Sequence, residues 1–263
     1  MLLHNQPTQT TETQPQATDI AAGLQRLTQQ RHSARGPFDL KRPVPALAVA
    51  QLLDAARWAP TAHNMQNFEV IAVDDPALIA RLSGVKSGLN ADFIRENYRQ
   101  MSFTMAEFLA KKRGVLADMF PAAWRTAAAK EGRVPASEGR SLRETVQGGP
   151  LLLVVLYNGD ERAPASEHDA LGFISLGCVM ENVWLTAESL GLGMQIISAY
   201  SSNMVGASVE DEARKILGFP ANLRIGFTCR IGYSLSKVSR YPRVRREVEE
   251  FCHHNAWGHK GLN

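Results

Sequence analysis

The chain has 263 residues, 44% of them hydrophobic, which is enough to bury one large core or two small ones. The chain has 29 Lys and Arg and 26 Asp and Glu, a formal net charge of +3. These charges are too nearly balanced to indicate a nucleic-acid-binding surface that covers a whole face. Three widely spaced cysteines, an odd number, indicate reduced thiols and not a disulfide framework. Composition therefore predicts a globular cytoplasmic protein that binds no nucleic acid.

The N-terminal part predicts a polar tail followed by a short helix. Residues 1–18, MLLHNQPTQTTETQPQAT, lack the basic start and the apolar run of a signal peptide, so we expect them to be disordered. The first helix has Asp19 as its predicted N-cap, and its apolar residues Ile20, Leu24 and Leu27 recur at helical spacing.

A second helix, a polar turn and a buried strand are predicted next. The helix begins near Pro45 with Leu52, Leu53 and Ala56 on one face, and it must end before Pro60. The turn APTAHN follows it. NFEVIAVDDP then has the composition of a buried strand that ends at its acidic residues and proline.

The middle of the chain predicts an irregular segment, a strand and a long helix. Residues 85–148 are helical in composition but irregular, and we expect a variable helical lid there. A strand over residues 151–157 precedes a helix over about residues 168–190, whose only charged residues after position 170 are Glu181 and Glu188. A helix this apolar should be buried on several sides, in part by a second subunit.

The remaining elements define the fold class. SVEDEARKILGFP predicts a helix with Ser208 as its N-cap, and LRIGFTCRIGYS predicts a further strand. Helices separate the strands and no GxGxxG turn follows any of them, which argues against a dinucleotide-binding unit and predicts a single α+β domain over residues 19–263. The apolar run in PLLLVVLYNGD has seven residues, too few to span a membrane.

Two basic clusters are the first candidates for a binding site. The N-terminal one is RHSAR, whose polar residues are Arg31, His32, Ser33 and Arg35. The C-terminal one contains Lys237, Arg240, Arg243, Arg245 and Arg246. A fold that brought them together would form a phosphate pocket, because guanidinium groups donate paired hydrogen bonds to phosphate oxygens. Taken separately, each cluster is better explained as a solvated helix end or a charged tail.

Several motifs together resemble one known family. RHSAR, APTAHNMQNFEV, Asn182 in the long helix ahead of LGLGMQI, LGFP with RIGYS, and RVRREVEEF followed by NAW occur in the order typical of the flavin-dependent nitroreductases, over about residues 24–258. The resemblance implies an α+β homodimer with a mostly antiparallel central sheet flanked by helices. It also implies a long central helix at the dimer interface and two FMN sites between the subunits.

The resemblance assigns the basic clusters to FMN. Arg31, His32 and Ser33 would belong to its phosphate site, which Arg243 and Arg245 would close from the C-terminal side. Arg35 matches a basic residue that faces the pyrimidine edge of the flavin. A cation there stabilises the negative charge that the ring gains on reduction.

Two further segments match those that lie beside the flavin ring. On one side stand Pro60, Thr61, Ala62, Asn64 and Gln66. On the other side stand Ile196, Ile197, Ser198 and Ala199, through backbone N–H groups. The chain departs from the family in having Asn67 and Phe68 where Pro and Trp are common, and Glu247 where a proline commonly follows the arginine pair.

The resemblance implies an oxidoreductase that passes hydride from NADH or NADPH through FMN to a small electron-poor acceptor, such as a nitroaromatic or a quinone, with ping-pong kinetics. The flavin carries the chemistry, so no catalytic side chain is assigned. Phe120 and Trp124 in the lid are candidates to line the acceptor side, and the alternative that they are ordinary core aromatics stays open. No metal site is predicted, since CHHNAWGH fits no common zinc pattern.

Two alternatives stay open. One is a non-catalytic module whose basic clusters bind a phosphorylated ligand or nucleic acid. The other is a flavoenzyme of the same fold that dehydrogenates, dehalogenates or cleaves flavin.

Overall fold

The computed structural model describes residues 17–85, 101–119, 146–197, 207–235 and 242–260. The predictions for Phe120, Trp124, Ser198 and Ala199, for the polar tail as far as residue 16 and for most of the lid lie outside these ranges. The helices are α1 (Ala17–Gln30), α2 (Ala46–Arg57), α3 (Pro76–Ser83), α4 (Met105–Lys111), α5 (Ala170–Ser189), α6 (Ala207–Leu217) and α7 (Val248–Phe251). The strands are β1 (Phe68–Val73), β2 (Ser102–Phe103), β3 (Val115–Leu116), β4 (Leu151–Asn158), β5 (Gly193–Ile197) and β6 (Leu223–Gly232).

The main sheet has the order β1-β4-β6-β5, and all its neighbouring strands run antiparallel. This confirms the predicted α+β class with a mostly antiparallel sheet. Sequence analysis does not predict β5 as a strand, because its five residues begin shortly after the long helix ends and are too few to show a pattern of their own. β2 and β3 form a separate parallel pair.

β4 lies at the centre of the core, and its side chains divide between the two faces of the sheet. Leu151, Leu153 and Val155 pack with α2 and α5, whereas the residues between them pack with α3 and α6 on the other face. A strand covered on both sides needs apolar residues at every position. The continuous run LLLVVL therefore follows from its place in the sheet.

The long predicted helix is present as α5, two residues shorter at its start than expected. Val179, Val183 and Ala187 are buried in the core, and the Asn182 side chain donates to the Ala55 carbonyl of α2 at 3.1 Å. By length and composition alone, Glu167–Ser189 is also the one described segment that could cross a membrane. The core helix of a globular protein passes the same test, and one side of α5 packs on α2, β5 and β6.

Three sequence predictions about helix starts and packing need correction. α1 begins at Ala17, so Asp19 lies within its first turn and is not its N-cap, and α6 begins at Ala207, so Ser208 is not its N-cap. The predicted apolar stripe of α1 is present, but no residue of α1 is buried, and Ile20 and Leu24 are exposed. Helical periodicity predicts which residues share a face, and it does not say what covers that face.

Candidate functional site

RHSAR forms an extended segment along the outer edge of β5. α1 ends at Gln30, and Ser33 then makes a parallel bridge with Met194, where the Ala34 N–H donates to the Met194 carbonyl at 2.9 Å. Ala34 is buried while Arg35 is exposed. The bridge therefore fixes the direction in which the polar side chains of this segment leave the sheet edge.

A buried arginine of β6 holds the end of this segment through hydrogen bonds to its backbone carbonyls. Arg230 is 4% exposed, and it donates to the Gln195 side-chain oxygen at 2.8 Å and to the Gly36 carbonyl at 2.9 Å. Its guanidinium also lies 4.7 Å from the centroid of the Phe38 ring. Sequence analysis missed Arg230, because a single arginine inside an apolar strand gives no signal of its partners.

Arg31 is oriented by two residues of α5. Its Nε lies 3.3 Å from the Glu181 carboxylate, and its guanidinium lies 4.7 Å above the Trp184 ring. The Nε is buried and makes no hydrogen bond to any described group, because the approach of Glu181 lacks hydrogen-bond geometry. Trp184 also donates from its indole N–H to the His32 carbonyl at 3.2 Å, so α5 holds the start of RHSAR in place.

The C-terminal arm joins RHSAR through Arg243. Its two terminal nitrogens donate to the carbonyls of Gln30 and Arg31 at 3.1 and 2.8 Å, so the guanidinium caps the C-terminal end of α1. Burial lowers the pKa of Arg243, and the neighbouring cations of Arg245 and Arg31 lower it further. The two basic clusters, 212 residues apart between Arg31 and Arg243, are therefore in contact.

RHSAR and the C-terminal arm form two walls of the site. The turn after α4, to which sequence analysis assigned no role, forms a third. Lys112 has φ of 49°, and its ammonium pairs with Glu247 at 3.0 Å and Glu250 at 2.9 Å, which raise its pKa. Gly114 has φ of 83°, and a Cβ there would lie 2.4 Å from the Phe103 ring. The run KKR at 111–113 was the available signal, although nothing in it indicates a carboxylate partner 135 residues away.

These three walls enclose a cavity of about 390 Å³. Its lining residues are Arg31, His32, Ser33, Arg35, Phe108, Lys112, Arg113, Gly114, Val115, Pro242, Arg243, Val244 and Arg245. Six of these are Lys or Arg and none is acidic. The cavity is therefore suited to an anion, and it brings together the predicted residues of RHSAR and two of the C-terminal arginines.

The predicted turn Pro60–Gln66 does not line this cavity. The Ala62 N–H donates to the Ser175 hydroxyl at 2.9 Å, six residues before Glu181 on α5, or about 9 Å along the helix axis. Within the turn, the Thr61 hydroxyl accepts from the Gln66 N–H at 3.1 Å, and the Gln66 amide donates to Asn64 at 3.1 Å. His63, Asn64 and Gln66 all have positive φ, a strained arrangement of the kind that clusters at binding sites.

Ile196 and Ile197 also lie outside the cavity lining. Ile197 is buried and Ile196 packs against the core, so neither side chain is available to a ligand. A backbone group of this pair is available, however. The Met194 carbonyl faces RHSAR, and because backbone groups alternate along a strand, the Ile196 N–H points to the same sheet edge.

His253 of the C-terminal arm has a structural role. The Gly258 N–H donates to His253 Nδ1 at 2.8 Å, and the His253 ring stacks on Trp257 with centroids 4.1 Å apart. Within the described ranges, no group of three or more His, Cys, Asp or Glu side chains could hold a metal ion.

An antiparallel sheet covered by helices on both faces, with a cationic cavity at its β5 edge, defines the class: an α+β protein with a site for an anion. A family model described as the nitroreductase family matches residues 28–233, and the chain belongs to this family. Membership makes the protein an oxidoreductase in general class.

Solved structures of the same fold include proteins of more than one activity. The chain is similar to an FMN-dependent nitroreductase from Clostridium difficile R20291, with 17% identity, 88% of this chain and 98% of that chain covered, and a TM-score of 0.53. The chain is also similar to a nitroreductase with bound FMN from Bacteroides fragilis NCTC 9343, with 16% identity, 85% of this chain and 94% of that chain covered, and a TM-score of 0.53. A third similar structure is an oxidized iodotyrosine deiodinase bound to FMN and 3-iodo-L-tyrosine, with 19% identity, 86% of this chain and 97% of that chain covered, and a TM-score of 0.52. At these identities the similarity shows the fold.

Proposed function

We propose that the protein is a cytoplasmic FMN-dependent oxidoreductase that uses NADH or NADPH to reduce a small electron-poor acceptor, such as a nitroaromatic or a quinone. The observation that carries this proposal is the convergence of RHSAR and the C-terminal arginines on one cavity. Bound FMN would supply the redox chemistry, because it accepts a hydride and passes its electrons on.

The cavity residues fit the phosphate of FMN. No acidic side chain lines the cavity, and the buried Arg31 Nε has an unused N–H. The pKa of Arg243 is lowered chiefly by burial and further by the neighbouring cations of Arg245 and Arg31, whose repulsion a bound phosphate would offset. Arg31, Ser33 and Arg245 would hold the phosphate, while Arg243 chiefly anchors the arm to α1.

The residues assigned to the flavin ring fit less directly. Arg35 lies at the exposed side of the cavity and has no described ion-pair partner, so its cation is available to the pyrimidine edge. The Ile196 N–H faces the same sheet edge. None of these groups needs to transfer a proton, and their contribution is to bind, orient and supply positive charge.

We propose that a second copy of the chain completes the site. The turn Pro60–Gln66 lies against the first half of α5, whereas the cavity lies against its second half. Beside the turn, α5 exposes Leu171, Phe173 and Ile174, with 39%, 54% and 61% of their surface accessible. Covering this apolar face with a partner would hide it from water and bring the partner's turn to the cavity.

The absorption spectrum of the purified protein tests the proposal. We expect a yellow protein with about one FMN per chain, and apoprotein that binds FMN far more tightly than riboflavin, which lacks the phosphate. Removing one charge-assisted hydrogen bond to the phosphate should cost about 2 kcal/mol, or roughly thirtyfold in affinity. A colourless protein that takes up phosphate esters but no flavin would support the non-catalytic alternative. Equal affinity for FMN and riboflavin would contradict the phosphate assignment.

A further inference from the structure

The cavity carries more positive charge than one phosphate requires. Of its six Lys and Arg side chains, Lys112 is paired with two glutamates and Arg31 with Glu181. The remaining four are Arg35, Arg113, Arg243 and Arg245. A phosphomonoester carries a charge of about −1.5 to −2 at pH 7, and Lys112 leaves one of its two glutamate charges unbalanced, so about one positive charge is left over.

Arg113 is the cavity cation to which the proposed function gives no role. It lies between two residues with left-handed backbone, Lys112 and Gly114. The ion pairs of Lys112 dock this turn onto the C-terminal arm, and the Phe103 ring leaves no room for a side chain at position 114. The turn is therefore fixed, while the Arg113 guanidinium has no hydrogen-bond or ion-pair partner among the described residues.

We propose that Arg113 binds a second phosphomonoester, the 2′-phosphate of NADPH, and so makes NADPH the preferred hydride donor. This inference rests on the proposed function. The two donors of that reaction differ by this one phosphate, and the positive charge that remains in the cavity favours an additional anionic group. A guanidinium binds such a group through paired hydrogen bonds.

Steady-state kinetics of the FMN-loaded protein test this assignment. We expect the parent to have a kcat/KM at least about tenfold higher for NADPH than for NADH. Arg113→Ala should remove most of that difference by lowering the NADPH value alone, and Arg113→Lys should restore part of it. Lys111→Ala is the matched control, because it removes the same charge two positions before Arg113, and Lys111, the last residue of α4, lies over Phe103 and outside the cavity lining.

Direct binding gives a second measurement that needs no turnover. Adenosine 2′,5′-bisphosphate should bind the protein roughly tenfold or more tightly than adenosine 5′-monophosphate in calorimetry, and Arg113→Ala should abolish the difference. Equal kcat/KM for the two donors in the parent would overturn the inference, as would bisphosphate binding unchanged in Arg113→Ala. So would a loss of FMN from Arg113→Ala as large as that from Arg245→Ala, since Arg113 would then belong to the flavin phosphate.

Failure of the proposed function gives a different result. A protein that takes up no FMN and is reduced by neither donor refutes that function. The bisphosphate titration on the colourless protein still decides whether Arg113 recognises a 2′-phosphate.

Discussion

Arg243 and Arg245 are two residues apart on the C-terminal arm, yet their side chains bind different groups. Arg243 donates to the last carbonyls of α1, whereas the Arg245 guanidinium donates to the carbonyl of its neighbour Val244 at 2.7 Å. Arg245 can therefore turn to a ligand and leave the packing of other elements undisturbed. Arg243 cannot do so without uncapping α1.

This difference predicts distinct phenotypes for the two alanine variants. Arg245→Ala should weaken FMN binding roughly thirtyfold and leave thermal stability of the apoprotein unchanged. Arg243→Ala should weaken FMN binding and also lower the free energy of unfolding by about 1 to 2 kcal/mol, since α1 loses its cap. FMN titration and thermal unfolding of the apoproteins measure both effects. Arg57→Ala, on the exposed end of α2, is the control.

Cys229 gives a prediction about reactivity and pH. Burial raises the pKa of its thiol from 9.0 to about 12. The folded state keeps this proton between those values and the unfolded state does not. The stability that the thiol contributes is therefore complete below about pH 9 and is lost as the pH rises toward 12.

At pH 8, iodoacetamide should modify the partly exposed Cys252, which lies outside the proposed dimer face, well before Cys229, which should react only after denaturant is added. Peptide mass spectrometry of the alkylated protein separates the three sites. Equal labelling of Cys229 and Cys252 in the native protein would show that the strand β6 opens readily.

At the scale of the element, α5 has two sides with different surroundings. One side is covered by α2 and the sheet, and the other exposes apolar residues at its N-terminal end. Ile174→Glu should therefore give a monomer in light scattering, with reduced FMN content because the partner's turn is lost. Lys215→Glu, an exposed charge change on α6 across the sheet, should leave a dimer with full FMN. A monomeric parent that binds FMN would contradict the shared site.

The sequence predicted the helices and strands better than it predicted the contacts between distant residues. The apolar periods and proline positions predicted α2, β1, β4, α5 and β6, because these signals are local. Four of the six cavity cations belong to the predicted motifs RHSAR and RVR. Lys112 is positioned by glutamates 135 and 138 residues away, and Arg230, which lies outside the cavity lining, by the carbonyls of Gly36 and Ala34, 194 and 196 residues away. Such pairings depend on the folded path of the chain, which no short pattern contains.

At the scale of the whole molecule, a shared site makes a prediction about mixed dimers. If each site takes its cationic cavity from one copy and its turn from the other, a dimer of an Arg245→Ala chain with a Gln66→Ala chain has one site with both defects and one intact site. We expect about half the FMN of the parent dimer from this co-expressed, tag-selected pair.

The reciprocal pair provides the control. A chain with both substitutions paired with an unaltered chain should have one defect in each site and little FMN. If every site belonged to a single chain, the two results would be exchanged, so the comparison decides between the arrangements regardless of absolute affinity.

The cap that Arg243 places on α1 also has a consequence for biosynthesis. Arg243 and Arg245 follow the last strand of the main sheet along the chain, so all four strands leave the ribosome before the cavity can close. A nascent chain that stops before residue 243 can form the sheet but lacks the arm that caps α1. Cofactor uptake thus comes after sheet assembly, and a translation product truncated in the arm should accumulate as a folded protein without colour.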